Sequence, residues 1–218
     1  MTMKKIALIE DRYNRQIGFL EQNGFLLDNY TDILENFVLG KADKLLEDII
    51  SDNFDLNEYD IIISHKSVEL KGKNNTNTTI IDKLTNFCEE RGKMLVLFSG
   101  GIDANYYREN YLELNSQTFY SQNLKLFLDA IKNDDENILI LCYGLKWKIN
   151  ILLNTLEKID KESEKYKRFA KDCKIELLDS LGLDVEKPQK DAQNISITEM
   201  GKYRDVIYTS IKESVIYE

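Results

Sequence analysis

The sequence predicts an α/β protein that has a doubly wound parallel sheet in its first part and a helical extension in its second. Two observations support this fold class. Short apolar runs alternate with amphipathic stretches of helical period from residue 4 to residue 132. The runs are apolar throughout, which is typical of parallel strands that helices cover on both faces. We therefore divide the chain into an α/β domain, residues 1–135, and a helical extension, residues 136–218.

Each element of the α/β domain is predicted from the spacing of its apolar residues. The predicted strands cover residues 6–9, 25–27, 61–63 and 94–98. The predicted helices cover residues 11–23, 42–50, 80–88 and 124–131. Gly24 and Gly92 follow two of these helices, where glycine commonly ends a helix. Right-handed crossovers between the parallel strands then give a doubly wound sheet.

The second part of the chain has helical periodicity from about Trp147 onward. Ser196-Ile197-Thr198-Glu199 has the pattern of a capping box, in which two polar side chains bond each other's backbone N–H groups. It predicts a last helix with an apolar face at Met200, Tyr203, Val206, Ile207 and Ile211. Residues 138–144 stay open between strand and helix, because their apolar run is too short for its period to decide.

Composition and charge argue against several classes of function. The formal net charge is −9, whereas binding to nucleic acid or to an acidic membrane needs a basic face. No apolar stretch approaches the roughly 20 residues of a membrane helix, and no signal peptide is visible. Three separated cysteines and one histidine favour buried thiols in a reducing compartment over disulfides or zinc. We expect a cytoplasmic protein whose partner is another protein or a second copy of itself.

Polar residues that follow predicted strands lie where a site is expected, because ligands bind at the carboxyl ends of strands in doubly wound sheets. These residues are Glu10–Asp11, Ser64–Lys66 and Ser99–Asp103. The acidic pair has two open interpretations: its oxygens hold a divalent metal such as magnesium, or Asp11 caps the following helix. His65 also has two open interpretations. It acts as a general base or phospho-acceptor, or it is a loop histidine with no partner to orient it.

Several short motifs occur in a fixed order over residues 4–132. They are Glu10-Asp11 after the first strand, Tyr59-Asp60-Ile61-Ile62-Ile63-Ser64-His65 along the third, Ser99 after the fourth, and Tyr111-Leu112-Glu113-Leu114-Asn115 as a further strand. This order resembles the receiver domain of response regulators, which has a flavodoxin-like fold. The resemblance covers a little over half of the chain.

The resemblance implies a phosphorylation site, of which this sequence keeps only a part. In a receiver, the acidic pair holds magnesium, an aspartate at the end of the third strand is phosphorylated, and Lys-Pro ends the last strand. Here Ser64 or His65 stands in place of the aspartate, and Leu114-Asn115 replaces Lys-Pro. Phosphoryl transfer needs a carboxylate nucleophile, a metal and a cation. We therefore expect a phosphorylation-independent, receiver-like signalling or protein-interaction module.

Two other functions stay open. Ser99-Gly100-Gly101-Ile102-Asp103-Ala104 resembles the Ser-Gly-Gly-x-Asp-Ser loop of ATP pyrophosphatases, whose backbone N–H groups approach phosphates. An ATP-using enzyme would bind its nucleotide there, whereas the plain interpretation is a glycine-rich turn. The second alternative is a working receiver with a displaced phospho-acceptor at Asp60 or Ser64.

The tyrosines Tyr106, Tyr107 and Tyr111 lie where the resemblance places the dimerisation and output face of a receiver. Tyrosine is favoured at protein interfaces for its apolar body and polar tip. They are therefore candidates for the interface of a homodimer or of a complex with another protein. The alternative is that they pack under the connection from residue 99 to residue 111, which is too short for a full helix.

Overall fold

The computed structural model describes residues 4–73, 75–108, 110–133, 137–166, 168–188, 191–196, 199–203 and 206. The chain divides into two compact units, Met1–Gly144 and Leu145–Glu218. This division falls later than the boundary between residues 135 and 136, because residues 139–143 form a helix that packs against the helical segment before it in the first unit. Within the described residues, no helix is both long and apolar enough to cross a membrane.

Among the described residues, six strands form a single sheet in the first unit. They are β1 Ile6–Ile9, β2 Leu34–Phe37, β3 Ile61–His65, β4 Met94–Ser99, β5 Tyr106–Arg108 and β6 Tyr111–Asn115. The strand order is β2-β1-β3-β4-β6-β5. All neighbours pair in parallel except β5, which is antiparallel to β6. The α/β class with a mostly parallel sheet is therefore confirmed, and this order is compatible with a flavodoxin-like fold.

Helices connect the strands and cover the sheet. In the first unit they are α1 Tyr13–Gln22, α2 Gly40–Ile50, α3 Asn77–Arg91, α4 Ser116–Thr118, α5 Leu124–Lys132 and α6 Leu139–Tyr143. A π-helical turn, Phe119–Asn123, joins α4 to α5. The predicted end of α3 is confirmed, since Gly92 follows it with φ 61° and the backbone N–H of Lys93 bonds back to the carbonyl of Cys88.

Both faces of the sheet are buried, and this explains why its strands are apolar throughout. All four residues of β1 are fully buried. On one face, β1, β3 and β4 pack with α2 and α3 in a single apolar cluster. On the other face, the ring of Phe98 stacks on Phe119 at a centroid distance of 4.5 Å and meets Tyr120 edge-on at 5.3 Å. The covered β-sheet therefore presents its accessible polar groups mainly at the strand ends.

The predicted strand at residues 25–27 is wrong, and the second strand lies further along the chain. Leu27–Tyr30 forms a 3-10 turn, and Leu26 is 67% exposed. The actual strand, β2, reads Leu-Glu-Asn-Phe and lies at an edge of the sheet. Because an edge strand leaves polar side chains partly exposed, no apolar run marks it in the sequence.

The connection from β4 to β6 contains a strand in place of a helix. β5 and β6 form a hairpin at the edge of the sheet, with Tyr107 opposite Leu112. Asn110 has φ 55° at the turn, a left-handed conformation that asparagine tolerates better than most residues. The prediction that this connection is too short for a full helix agrees with the hairpin.

Residues 138–144, which the sequence leaves open, are helical. Leu139, Ile140, Leu141 and Cys142 of α6 are all buried. A helix that is buried on every side shows no amphipathic period, and for this reason the spacing of apolar residues could not identify it. Gly144 follows with φ 68°.

The described part of the second unit is mainly helical. α7 covers Trp147–Tyr166 and α8 covers Arg168–Ser180, with a 3-10 turn at Ala192–Asn194. The predicted capping box is confirmed: the backbone N–H of Ser196 donates to Glu199 Oε2 at 3.1 Å, and the backbone N–H of Glu199 donates to Ser196 Oγ at 3.2 Å. Of the apolar face predicted for the last helix, Ile207 and Ile211 lie outside the described residues.

The position of the second strand can be tested with two matched substitutions. Leu34 is 5% exposed in β2, whereas Leu26 is 67% exposed. We expect Leu34→Ala to lower the free energy of unfolding by about 2–4 kcal/mol, because it leaves a cavity in the core. Leu26→Ala should change it by less than about 0.5 kcal/mol. Urea unfolding measures both, and equal losses would contradict the placement of β2.

Candidate functional site

The carboxyl ends of β1 and β3 bring the predicted acidic pair and the histidine together. Ile9 is paired with Ser64 across these strands, so the residues that follow, Glu10 and His65, are neighbours. One ligand atom each from Glu10, Asp11 and His65 lies within 4.8 Å of the others. These three residues are the centre of the candidate site.

Glu10 is fully buried, and its carboxylate accepts hydrogen bonds from three groups. Arg15 Nη2 lies 2.9 Å from Oε1 and 2.9 Å from Oε2. The backbone N–H of Arg12 donates to Oε1 at 3.0 Å, and the hydroxyl of Tyr120 donates to Oε2 at 3.1 Å. A buried carboxylate is tolerated only when it is paired and hydrogen-bonded in this way.

His65 is 1% exposed and has a partner on each ring nitrogen. Nδ1 lies 2.8 Å from Asp11 Oδ1, and Nε2 lies 3.2 Å from Arg15 Nη1. Because a guanidinium can only donate, the hydrogen-bond network assigns the lone pair to Nε2 and the proton to Nδ1, which donates to Asp11. Of the two interpretations of His65, the loop histidine without a partner is therefore wrong, because His65 ends β3 and both Asp11 and Arg15 contact its ring.

Arg15 joins the two halves of the site from the first turn of α1. One of its terminal nitrogens bonds Glu10 and the other bonds His65. The adjacent residue, Gln16, exchanges two hydrogen bonds with Asn36 of β2, at 3.1 and 2.9 Å. Gln16 Nε2 also reaches the hydroxyl of Tyr120 at 3.3 Å. The polar network therefore ties α1 to the ends of β1, β2 and β3 and to the π-helical turn.

The surroundings shift the pKa of two groups in the site. Burial raises the pKa of Asp11, but the hydrogen bond from His65 and the charge of Arg12 outweigh it, so the net pKa is below the ordinary value of 3.8. Burial, together with the charge of Glu10, holds the pKa of Tyr120 well above its ordinary value of 10.0. Asp11 is therefore ionised and Tyr120 is a hydrogen-bond donor near neutral pH.

The site is built to hold a guanidinium in place of a metal ion. Oxygen and nitrogen atoms of Glu10, Asp11 and His65 are suitable ligands for a divalent cation. Both oxygens of Glu10 and one ring nitrogen of His65 are already bonded to Arg15, and the other ring nitrogen is bonded to Asp11. Because Arg15 already supplies the positive charge that pairs with Glu10, the residues do not fit a magnesium ion unless Arg15 moves away.

Ser64 and Ser99, the other predicted pocket residues, are not part of this network. Ser64 is fully buried, and its hydroxyl donates to the carbonyl of His65 at 3.4 Å. It leaves the strand on the face opposite to His65, since successive side chains alternate. Ser99 Oγ accepts from the backbone N–H of Gly101 at 3.4 Å. Lys66 Nζ is directed towards β6, where it bonds Glu113 Oε1 at 2.7 Å.

The glycine loop after β4 does not lead into a helix. Ser99, Gly100, Gly101 and Asp103 are followed by β5, a strand. A phosphate loop of the pyrophosphatase kind needs a helix that begins there, because its N-terminal N–H groups bind the phosphate. The loop is instead tied to β6, since Asn115 Nδ2 donates to the carbonyl of Ile102 at 2.9 Å.

The three predicted interface tyrosines lie on the β5–β6 hairpin. Tyr106 is 50% exposed, and its ring meets Tyr111 edge-on at 6.3 Å. Tyr107 and Tyr111 are half-buried, and the hydroxyl of Tyr111 donates to Glu113 at 2.5 Å. The hairpin therefore keeps one aromatic side chain well exposed, and it does not bury the whole set.

Sequence reasoning missed Arg15, Tyr120, Gln16 and Asn36. One signal was available for Arg15, because it lies four residues after Asp11 and an i,i+4 pair of opposite charge is a recognised helix pattern. The observed bond goes to Glu10 instead. Tyr120 lies 110 residues from Glu10, and no local pattern predicts a hydrogen bond over that separation.

The lowered pKa of Asp11 predicts a pH-dependent contribution to stability. Its folded pKa lies below the ordinary value of 3.8, so the contribution is present above that value and is lost as pH falls through the folded pKa. We expect Asp11→Asn to be less stable than the natural protein at pH 6. The gap should shrink as the pH is lowered towards 3. Urea unfolding across this range measures the gap, with Asp28→Asn in an exposed turn as the control, and a gap that does not change with pH would contradict the assignment.

Comparison of the chain with protein-family models, with curated proteins and with solved structures finds no match. The comparisons therefore assign neither a family nor an activity. The described residues show an α/β protein with a mostly parallel sheet of six strands that helices flank. At the carboxyl ends of its strands lies a network of polar side chains, which are Glu10, Asp11, Arg15, His65 and Tyr120.

Proposed function

We propose that the first unit is a receiver-like interaction module that works without phosphorylation. The observation that carries this proposal is the guanidinium of Arg15, which bonds both Glu10 and His65. In the receiver resemblance, this is the region where the acidic pair would hold magnesium and the third strand would present its phospho-acceptor. An internal cation supports a site whose buried carboxylate is already paired within the chain.

The residues available as acceptors also favour a module without phosphorylation. His65 is 1% exposed, and the lone pair on its Nε2 already accepts a hydrogen bond from Arg15. Ser64 is fully buried on the other face. Asp60 directly precedes β3, so it lies at the amino ends of the parallel strands, away from the site. There its carboxylate accepts a hydrogen bond from the backbone N–H of Lys5 at 2.9 Å. A working receiver with a displaced acceptor therefore has little support in this geometry.

An ATP-using enzyme is supported even less. The loop from Ser99 to Asp103 lacks a helix behind it, because β5 follows. A strand does not offer the row of unpaired N–H groups that binds phosphate at the start of a helix.

The β5–β6 hairpin is the surface that this proposal assigns to a protein partner or to a second copy. Tyr106 is 50% exposed there, and the side chain of Arg108 is 52% exposed. Arg108 also lies over the ring of Tyr111, 4.8 Å from its centroid. Tyrosine and arginine are among the residues that are enriched in protein interfaces.

Treatment with a small phosphodonor tests the proposal directly. We expect the mass of the full chain to stay unchanged after incubation with acetyl phosphate and Mg²⁺, because Glu10 is fully buried and the carboxylate of Asp11 is bonded to His65. A receiver that retains its aspartate serves as the positive control in the same reaction. Intact-protein mass spectrometry gives the readout, and a phosphoryl group that maps to residues 4–132 would disprove the proposal.

Removal of Arg15 tests whether its guanidinium takes the place of a metal. Arg15→Gln leaves the charge of Glu10 buried and unpaired, and we expect a loss of about 3–5 kcal/mol in the free energy of unfolding. Mg²⁺ or Mn²⁺ should raise the melting temperature of this variant, because a cation can then bind the acidic pair. The natural protein should show no such shift.

Two further variants make the Arg15 result specific. Arg12→Gln removes a cation whose side chain is 55% exposed, and it should be insensitive to metal. The double variant Glu10→Gln/Arg15→Gln should be more stable than Arg15→Gln alone, because it leaves no buried charge behind. A metal-induced shift of equal size in the natural protein would show that Arg15 does not occupy the cation position.

A further inference from the structure

We draw no further inference here: the strongest candidate, the cleft of about 330 Å³ between α3 and the β5–β6 hairpin, carries nothing, because the cations that line it, Lys93 and Arg108, are already bonded within the chain and nothing in the structure shows what covers it.

Discussion

The structure at the carboxyl ends of the parallel strands depends on one interaction, the buried ion pair of Glu10 and Arg15. Glu10 is fully buried at the end of β1, and an isolated carboxylate at that depth would be strongly unfavourable. Arg15 pairs with this carboxylate from the first turn of α1 and so offsets the cost of its burial. The hydroxyl of Tyr120 completes the pair and fixes the π-helical turn against the sheet. Helix α1, the sheet and the segment before α5 are therefore held in one arrangement by one network of polar groups.

The same pair limits the chemistry of the site. An open acidic pair at this edge can hold a metal ion and stabilise a phosphoryl group. Here an arginine of the chain itself occupies that place and also restrains His65 through its ring nitrogen. The carboxylate of Glu10 and both ring nitrogens of His65 are therefore already bonded within the chain. A fold does not by itself fix an activity, because the activity depends on the few side chains at the strand ends.

The elements that the sequence predicted correctly are those whose burial leaves a local pattern. β1, β3 and β4 are central strands, and their apolar runs are visible without any tertiary information. β2 and β5 are edge strands with polar or aromatic residues, and the same rule does not detect them. Helix α6 was undecided because it is buried on every side. At the site, the grouping of Glu10, Asp11 and His65 follows from the parallel order of the strands, whereas the role of Arg15 does not.

The amino-acid sequence by itself determined the α/β class, the helical second part and the edge of the sheet where polar residues collect. These properties depend on which faces of each element are apolar, and periodicity records that locally. Only the tertiary structure decided which groups satisfy the buried carboxylate of Glu10, because its partner Tyr120 lies 110 residues away.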